Sequence, residues 1–180
     1  MIQHEEELYR MLDLYNINYD DVCIVGSSVI ARAGFRDNND IDITLKPSAR
    51  EISEKFRGQS GLIELSENIQ ACTGRYNIIG ISDDELFSDE CSESYRGTRI
   101  VKFELEIAKK LRRLEPKDQR DLVEIGNSSG VHNFDWGRIF YLAYFNGEKI
   151  SVNAVVKVSY LRRVAGRIKR IIKSLSRFKF

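Results

Sequence analysis

The sequence predicts an α/β protein: a small mixed β-sheet with flanking helices, followed by a mostly helical C-terminal segment. Three features carry that expectation. The apolar run Val22–Val25 stops at Gly26-Ser27 and leads into a helix-like stretch, as a buried strand does when it hands over to a helix. Residues 40–45 (DIDITL) alternate acid and apolar in their first half, the period-two pattern of a strand with one functional face. From Glu104 onward strong helix formers dominate, punctuated by Pro116 and Gly126.

The elements follow in order. Residues 4–15 read as an opening helix, with Leu8, Met11, Leu12 and Tyr15 at helical spacing and acids on the other side. Residues 22–25 form a strand, 28–33 a helix and 40–45 a second strand. Pro47-Ser48 opens a helix to about residue 56, with Ser48 as N-cap and Glu51 three residues on; Gly58 and Gly61 stop it. Residues 62–65 are a third strand, 77–81 a fourth, and 83–93 an acidic loop. A strand at 98–103 precedes helices at 104–114 and 117–125, then a loop at 127–130. Residues 139–145 are aromatic-rich and core-like, and 155–175 form a long basic amphipathic helix. This divides the chain into a domain at 1–125 and a C-terminal segment at 126–180.

Composition narrows the function classes. Of 180 residues, 42% are apolar and 31% charged, which excludes collagen-like, mucin-like and wholly disordered chains. No stretch approaches the roughly 18 consecutive apolar residues of a membrane span. The start is acidic (Glu5, Glu6, Glu7), without the positive flank of a signal peptide, so the expected location is the cytoplasm. Cys23, Cys72 and Cys91 are widely spaced and form no C-x-x-C pair, and Cys23 reads as a core residue. With only His4 and His132, a histidine metal site or a Ser-His-Asp triad is not expected.

The chemistry-bearing segment is 22–45, VCIVGSSVIARAGFRDNNDIDITL. A glycine directly after a strand lets the chain turn tightly and lets a phosphate come close to the backbone. Ser27 adds a hydroxyl, and the helix that follows adds free N–H groups at its positive end. Asp40 and Asp42, at i and i+2 on a strand, point to the same face. Two adjacent carboxylates repel unless a cation neutralises them, and magnesium prefers carboxylate and phosphate oxygens. A phosphate cradle beside paired carboxylates is equipment for phosphoryl or nucleotidyl transfer. A D-x-D pair also serves sugar-nucleotide glycosyltransferases, which is the alternative reading of the aspartates.

This order of Gly26-Ser27, helix, then Asp40-Ile41-Asp42 resembles the polymerase-β-type nucleotidyltransferase superfamily in its minimal form. Residues 34–42, Gly-Phe-Arg-Asp-Asn-Asn-Asp-Ile-Asp, are similar to a run seen in a looser bacterial group of that superfamily. The stretch from Glu104 through Lys109 to Pro116-Lys117-Asp118 and Asp121-Leu122 looks like its downstream segment. The resemblance covers about 22–125. It implies Mg²⁺ or Mn²⁺ as cofactor, held by Asp40, Asp42 and a third carboxylate on a strand beside theirs. Glu64 in Ile63-Glu64-Leu65 is preferred for that place; Glu104, or Glu106, is the alternative. It implies a nucleoside triphosphate bound by Gly26 and Ser27, with Arg36 or Lys109 neutralising phosphate charge. The nucleoside monophosphate would pass to a small-molecule, sugar or surface-polymer acceptor. An antitoxin-like interaction protein acting on a protein partner is the second reading the resemblance allows.

The C-terminal charge stands apart. All 27 acidic residues and 18 of the 28 basic ones lie in 1–148, a balance of about −9, while the other 10 basic residues fall in 149–180 without a single acid. Leu161, Val164, Ile168, Ile171, Leu175 and Phe178 mark an apolar stripe between them. Residues 157–180 therefore suit an acidic partner, the acidic body of the chain itself or of a second copy, or an anionic membrane surface, which would place the protein at the inner membrane face. If the membrane is the target, removing the residues after Ser159 abolishes binding to anionic liposomes in a flotation assay. Full-length protein that never floats with them ends that reading.

Overall fold

A computed structural model describes residues 2–52, 61–127 and 134–145; the expected basic helix at 155–175 and the far half of the helix from Pro47 lie outside the described residues. The chain divides into two compact units, Met1–Asn77 with Ile81–Glu106, and Ile78–Gly80 with Ile107–Phe180. The sequence division at residue 125 follows composition; this division falls inside a helix.

The first unit begins with α1 (Glu5–Leu14), which buries Leu8, Met11 and Leu12 as its spacing predicts. Then come β1 (Val22–Val25), α2 (Ser27–Arg32), β2 (Ile41–Leu45), α3 (Pro47–Ile52), β3 (Leu62–Glu64), β4 (Ile69–Cys72), β5 (Ser92–Tyr95) and β6 (Thr98–Val101). The six strands form one mixed sheet in the order β3-β4-β2-β1-β6-β5. β1 runs antiparallel to β2 and parallel to β6, and β2 runs parallel to β4. The two outer strands, β3 and β5, pair antiparallel to their neighbours. The α/β class with flanking helices is therefore present.

The strand sequences explain the order. β1 and β2 are buried at every position, as central strands covered on both faces are. β3 and β5 expose Leu62, Glu64, Glu93 and Ser94, and charge on an edge discourages pairing with another chain. α3 starts at Pro47 rather than after a Ser48 cap: Ala49 and Arg50 N–H groups donate to Lys46 O at 3.0 and 3.2 Å, placing proline at the first helical position.

Three expectations change. β4 was not expected at all, yet it is the strand that lies against β2. Residues 77–81 are not a strand; Asn77–Ile79 is a 3-10 turn bracketed by Gly74 and Gly80 with φ of 65° and 73°. The acidic stretch 83–93 is not wholly loop, since it ends in β5.

α4 (Phe103–Arg113), α5 (Pro116–Asn127) and α6 (Trp136–Phe145) follow, and α4 enters the second unit after Glu106. α6 buries Ile139, Phe140, Leu142 and Ala143, so the aromatic segment is a core helix. Within this unit α4 and α5 share a buried ionic cluster. Lys110 Nζ lies 3.3 Å from Asp118 and 2.7 Å from Asp121, and Arg113 forks onto Asp118 at 2.7 and 2.8 Å. Burial works against the Asp118 charge, but Arg113 and Lys110 outweigh it and hold the carboxyl below its ordinary value.

Asp118→Ala removes an acceptor shared by two cations, and breaking a buried pair costs about 3–5 kcal/mol. Urea denaturation of the full chain should show that loss. Because the folded pKa is lowered, the stabilisation is complete above the unfolded value of about 3.9 and fades as pH falls toward the folded one. The wild-type and variant midpoints should therefore converge in acid.

Candidate functional site

The site begins where β1 ends. Val25 lies opposite Asp42 in the β1/β2 register, so the Gly26 turn comes down beside the Asp42 side chain. Gly26 has φ +72°, and a Cβ there would collide with the Asp42 carboxylate and stand 3.1 Å from Arg75 Nη1. Only glycine permits both the backbone angle and the approach. α2 starts at once but spans six residues, so its dipole is short and adds little.

Asp40 sits one residue ahead of β2. Ser27 Oγ donates to Asp40 Oδ1 at 3.2 Å, while Ser28 Oγ and Asn38 Nδ2 donate to the Asp40 carbonyl at 3.3 and 3.0 Å. Asn38 is fully buried, and its Oδ1 accepts from the Gln3 N–H at 2.8 Å. The loop carrying Asp40 is thereby fixed to both the Gly26-Ser27 turn and the N-terminal segment.

Asp42 is 6% exposed, a carboxylate inside the sheet. Its Oδ2 is ion-paired to Arg75 Nη1. Its Oδ1 is buried and has no hydrogen-bond partner among the described residues. Burial works against the Arg75 charge, and the neighbouring Cys72, Asp42 and Glu106 outweigh it, so the guanidinium pKa moves up and the charge is permanent. The turn that carries Arg75 is itself anchored. Gly74 N–H donates to both Asp83 oxygens at 3.0 Å, and Asp83 pairs with Arg50 at 2.5 Å. Arg50 also donates to the Leu45 carbonyl at 3.0 and 2.9 Å, which ties this chain of contacts to the end of β2.

The structure thus brings together Gly26, Ser27, Asp40 and Asp42. Glu106, one alternative for the third carboxylate, is buried near Arg75 and accepts from the Tyr76 hydroxyl. The other expected residues are placed as follows. The strand beside β2 on the side away from β1 is β4, and the residue opposite Asp42 on it is Gln70, not an acid. Glu64 is exposed on β3, opposite Gln70 and therefore on the same sheet face as Asp42 but two strands away, about 10 Å at ordinary strand spacing. The extra strand β4 is what displaces it. Glu104 is half-buried in the first turn of α4 rather than on a strand, and Lys109 is buried on α4 in the second unit. Arg36 Nη1 donates to the adjacent Asp37 carbonyl at 2.6 Å. Asp83, read from sequence as part of an exposed loop, is the anchor of the Arg75 turn. Cys23 is core, and burial pushes its thiol up to about 12.

Sequence reasoning missed Asn38, Gln70 and Arg75. Arg75 had one local signal, its place after a Thr-Gly turn; Gln70 had none.

The donors suit one divalent cation. The pair offers carboxylate oxygens, Asp42 Oδ1 is a buried acceptor without a partner among the described residues, and the missing Cβ of Gly26 lets the Asp42 carboxylate lie against the turn. Among the described residues no three acidic, His or Cys side chains gather as a metal cluster. No helix among the described residues is long and apolar enough to cross a membrane.

Comparison with known proteins finds no match among family models, curated sequences or solved structures.

Gly26→Ala forces a left-handed backbone and a Cβ against Asp42. Such a misfit should cost upwards of about 1 kcal/mol, more than a compatible Gly-to-Ala change would gain. The expected result is a lower denaturation midpoint. A variant as stable as wild type would mean that the turn relaxes away from Asp42.

Proposed function

We propose that this chain binds a nucleoside triphosphate together with Mg²⁺ or Mn²⁺ and transfers the nucleoside monophosphate to a hydroxyl or phosphate of a small-molecule, sugar or surface-polymer acceptor. The observation that carries the proposal is the meeting of the Gly26-Ser27 turn with the Asp40/Asp42 edge, where Ser27 Oγ reaches Asp40 and Gly26 packs on the Asp42 carboxylate. A mixed sheet with strand, Gly-Ser turn, helix and D-x-D strand in this order is compatible with the nucleotidyltransferase fold of the polymerase-β type.

In this reading Asp40 and Asp42 would hold the cation, which neutralises the pair and draws the triphosphate oxygens to it. Gly26 gives the phosphates close approach to the backbone. The Ser27 hydroxyl, directed at Asp40, holds that carboxylate in place and can turn its donor to a phosphate oxygen. The acceptor oxygen attacks the α-phosphorus in line, its proton passes to solvent, the bond to the bridging oxygen breaks, and pyrophosphate leaves. Orientation of the triphosphate by the turn supplies the positioning part of the rate. Gln70 opposite Asp42 can orient the acceptor by hydrogen bonding but cannot take its proton.

That carboxamide favours a second reading, in which the site binds a nucleotide or a protein partner without transferring anything. A sugar-nucleotide glycosyltransferase is the third class, separated by its product: it releases a nucleoside diphosphate rather than pyrophosphate.

Calorimetry with ATP, GTP, CTP and UTP, each with Mg²⁺ or Mn²⁺, tests the proposal on the wild type and Asp42→Asn. The expected outcome is metal-dependent binding of one triphosphate that the variant loses by at least about 100-fold, since a missing ligand to a charged group costs several kcal/mol. Absence of binding with either metal rejects the proposal, and binding without pyrophosphate release on any acceptor moves the assignment to the second reading.

A further inference from the structure

Asp42 already has a cation. The Arg75 guanidinium pairs with Oδ2 and stands over the Gly26 turn, 3.1 Å from where a Cβ of residue 26 would lie. This is the turn against which the proposed triphosphate would lie. Arg75 arrives there from the turn after β4, and that turn is set by Gly74 on Asp83 and by Asp83 on Arg50. The guanidinium is thus placed by a built scaffold rather than by a loose surface arm.

Two charges compete for one carboxylate. A buried carboxylate must be neutralised, and in the resting protein Arg75 does it. A divalent cation arriving alone must displace Arg75 and leave a buried guanidinium facing a second positive centre. A cation arriving with a triphosphate brings several negative oxygens, and a guanidinium matches phosphate oxygens as well as it matches a carboxylate. Only the second arrival leaves every charge paired.

We infer that Arg75 is a phosphate-binding residue that waits on Asp42, so that the site admits the cation and the triphosphate together and resists the cation alone. This rests on the nucleotide reading above and adds to it a residue and an order of binding. Arg75 holds Asp42 neutral in the empty site, turns onto the phosphate oxygens when the loaded nucleotide enters, and returns when pyrophosphate leaves. The Asp42 Oδ1 atom, buried and without a partner among the described residues, is the oxygen left available while Arg75 occupies Oδ2.

The test uses the full chain and two base-free probes, Mn²⁺ alone and Mn²⁺ with inorganic tripolyphosphate, with binding read by calorimetry and by the Mn²⁺ electron spin resonance signal. Arg75→Gln keeps a hydrogen-bond donor for Asp42 but removes the charge. It should bind Mn²⁺ alone about tenfold or more tighter than wild type, because one adjacent opposite charge alters a carboxylate's affinity for a cation by about one to three powers of ten. It should bind Mn²⁺-tripolyphosphate about tenfold or more weaker. Mn²⁺ should also raise the melting temperature of Arg75→Gln more than that of wild type. Arg75→Lys, which retains the charge without the planar fork, should show both shifts in the same direction but smaller, and it carries the test if Arg75→Gln does not fold. Mn²⁺ affinity unchanged within about twofold, or undiminished tripolyphosphate binding, overturns the role of Arg75. If wild type still binds Mn²⁺ with a nucleoside triphosphate in that case, the function proposed above survives it. If neither wild type nor variant binds either probe or any triphosphate, both fall.

Discussion

A carboxylate at 6% exposure in the middle of a central β-strand is the constraint on which this architecture turns. Asp42 interrupts a strand whose other residues are apolar or Thr and fully buried. An ionised group there must have a counter-charge, so the fold delivers Arg75 to it, and the turn bearing Arg75 must in turn be held by Asp83 and Arg50. Space must also be left beside it, so residue 26 is glycine. Stability alone does not explain the arrangement. An apolar pair of similar volume would serve a sheet as well or better, whereas breaking a buried ion pair costs about 3–5 kcal/mol out of a typical net stability of about 5–15 kcal/mol. An acid kept where Val or Ile would pack is consistent with the binding role proposed above, although the Asp118 cluster shows that this fold also uses a buried acid as a staple.

Much of the first unit was legible because its signals are local. Val22–Val25 is apolar throughout and ends at a glycine; residues 104–114 carry helix formers up to Pro116, and 117–125 carry them between Pro116 and Gly126. What failed depends on partners. β4 is four residues, Ile-Gln-Ala-Cys, with one β-branched side chain, and it becomes a strand because β2 and β3 pair with it on either side. Residues 77–81 look like a strand because Ile78, Ile79 and Ile81 are apolar, but flanking glycines in left-handed conformation wrap them into a turn. β5 is a polar edge strand and reads as loop for that reason.

The candidate site divides the same way. Gly26, Ser27, Asp40 and Asp42 fall within 17 consecutive residues and were readable as one segment. Gln70 and Arg75 come from the next stretch of chain through strand pairing, and no pattern in their own neighbourhood announces it. The expectation for Glu64 rested on strand–helix–strand order. Order along the chain does not give order across a sheet, and β4, parallel to β2 and antiparallel to β3, is inserted between them and moves the carboxylate a full strand away.

Two buried ionic clusters among the described residues differ in how fully their carboxylates are served. On α4 and α5, each Asp118 oxygen accepts two donors: Oδ1 from Lys110 and Arg113, Oδ2 from Arg113 and the Glu115 N–H. Nothing further can bind there without breaking what exists, and the cluster works as a staple between two helices. Asp42 is comparably buried but incompletely served, with one oxygen on Arg75 and the other without a partner among the described residues. A buried acceptor left unmade costs about 1–3 kcal/mol, and Glu5 is left in the same condition, with Oε2 on Arg96 and Oε1 without a partner among the described residues, so the deficit alone does not single out Asp42. What sets Asp42 apart is that its deficit lies beside the Gly26 turn and Asp40, and this coincidence, more than the D-x-D spacing, is what supports the ligand-binding reading proposed above.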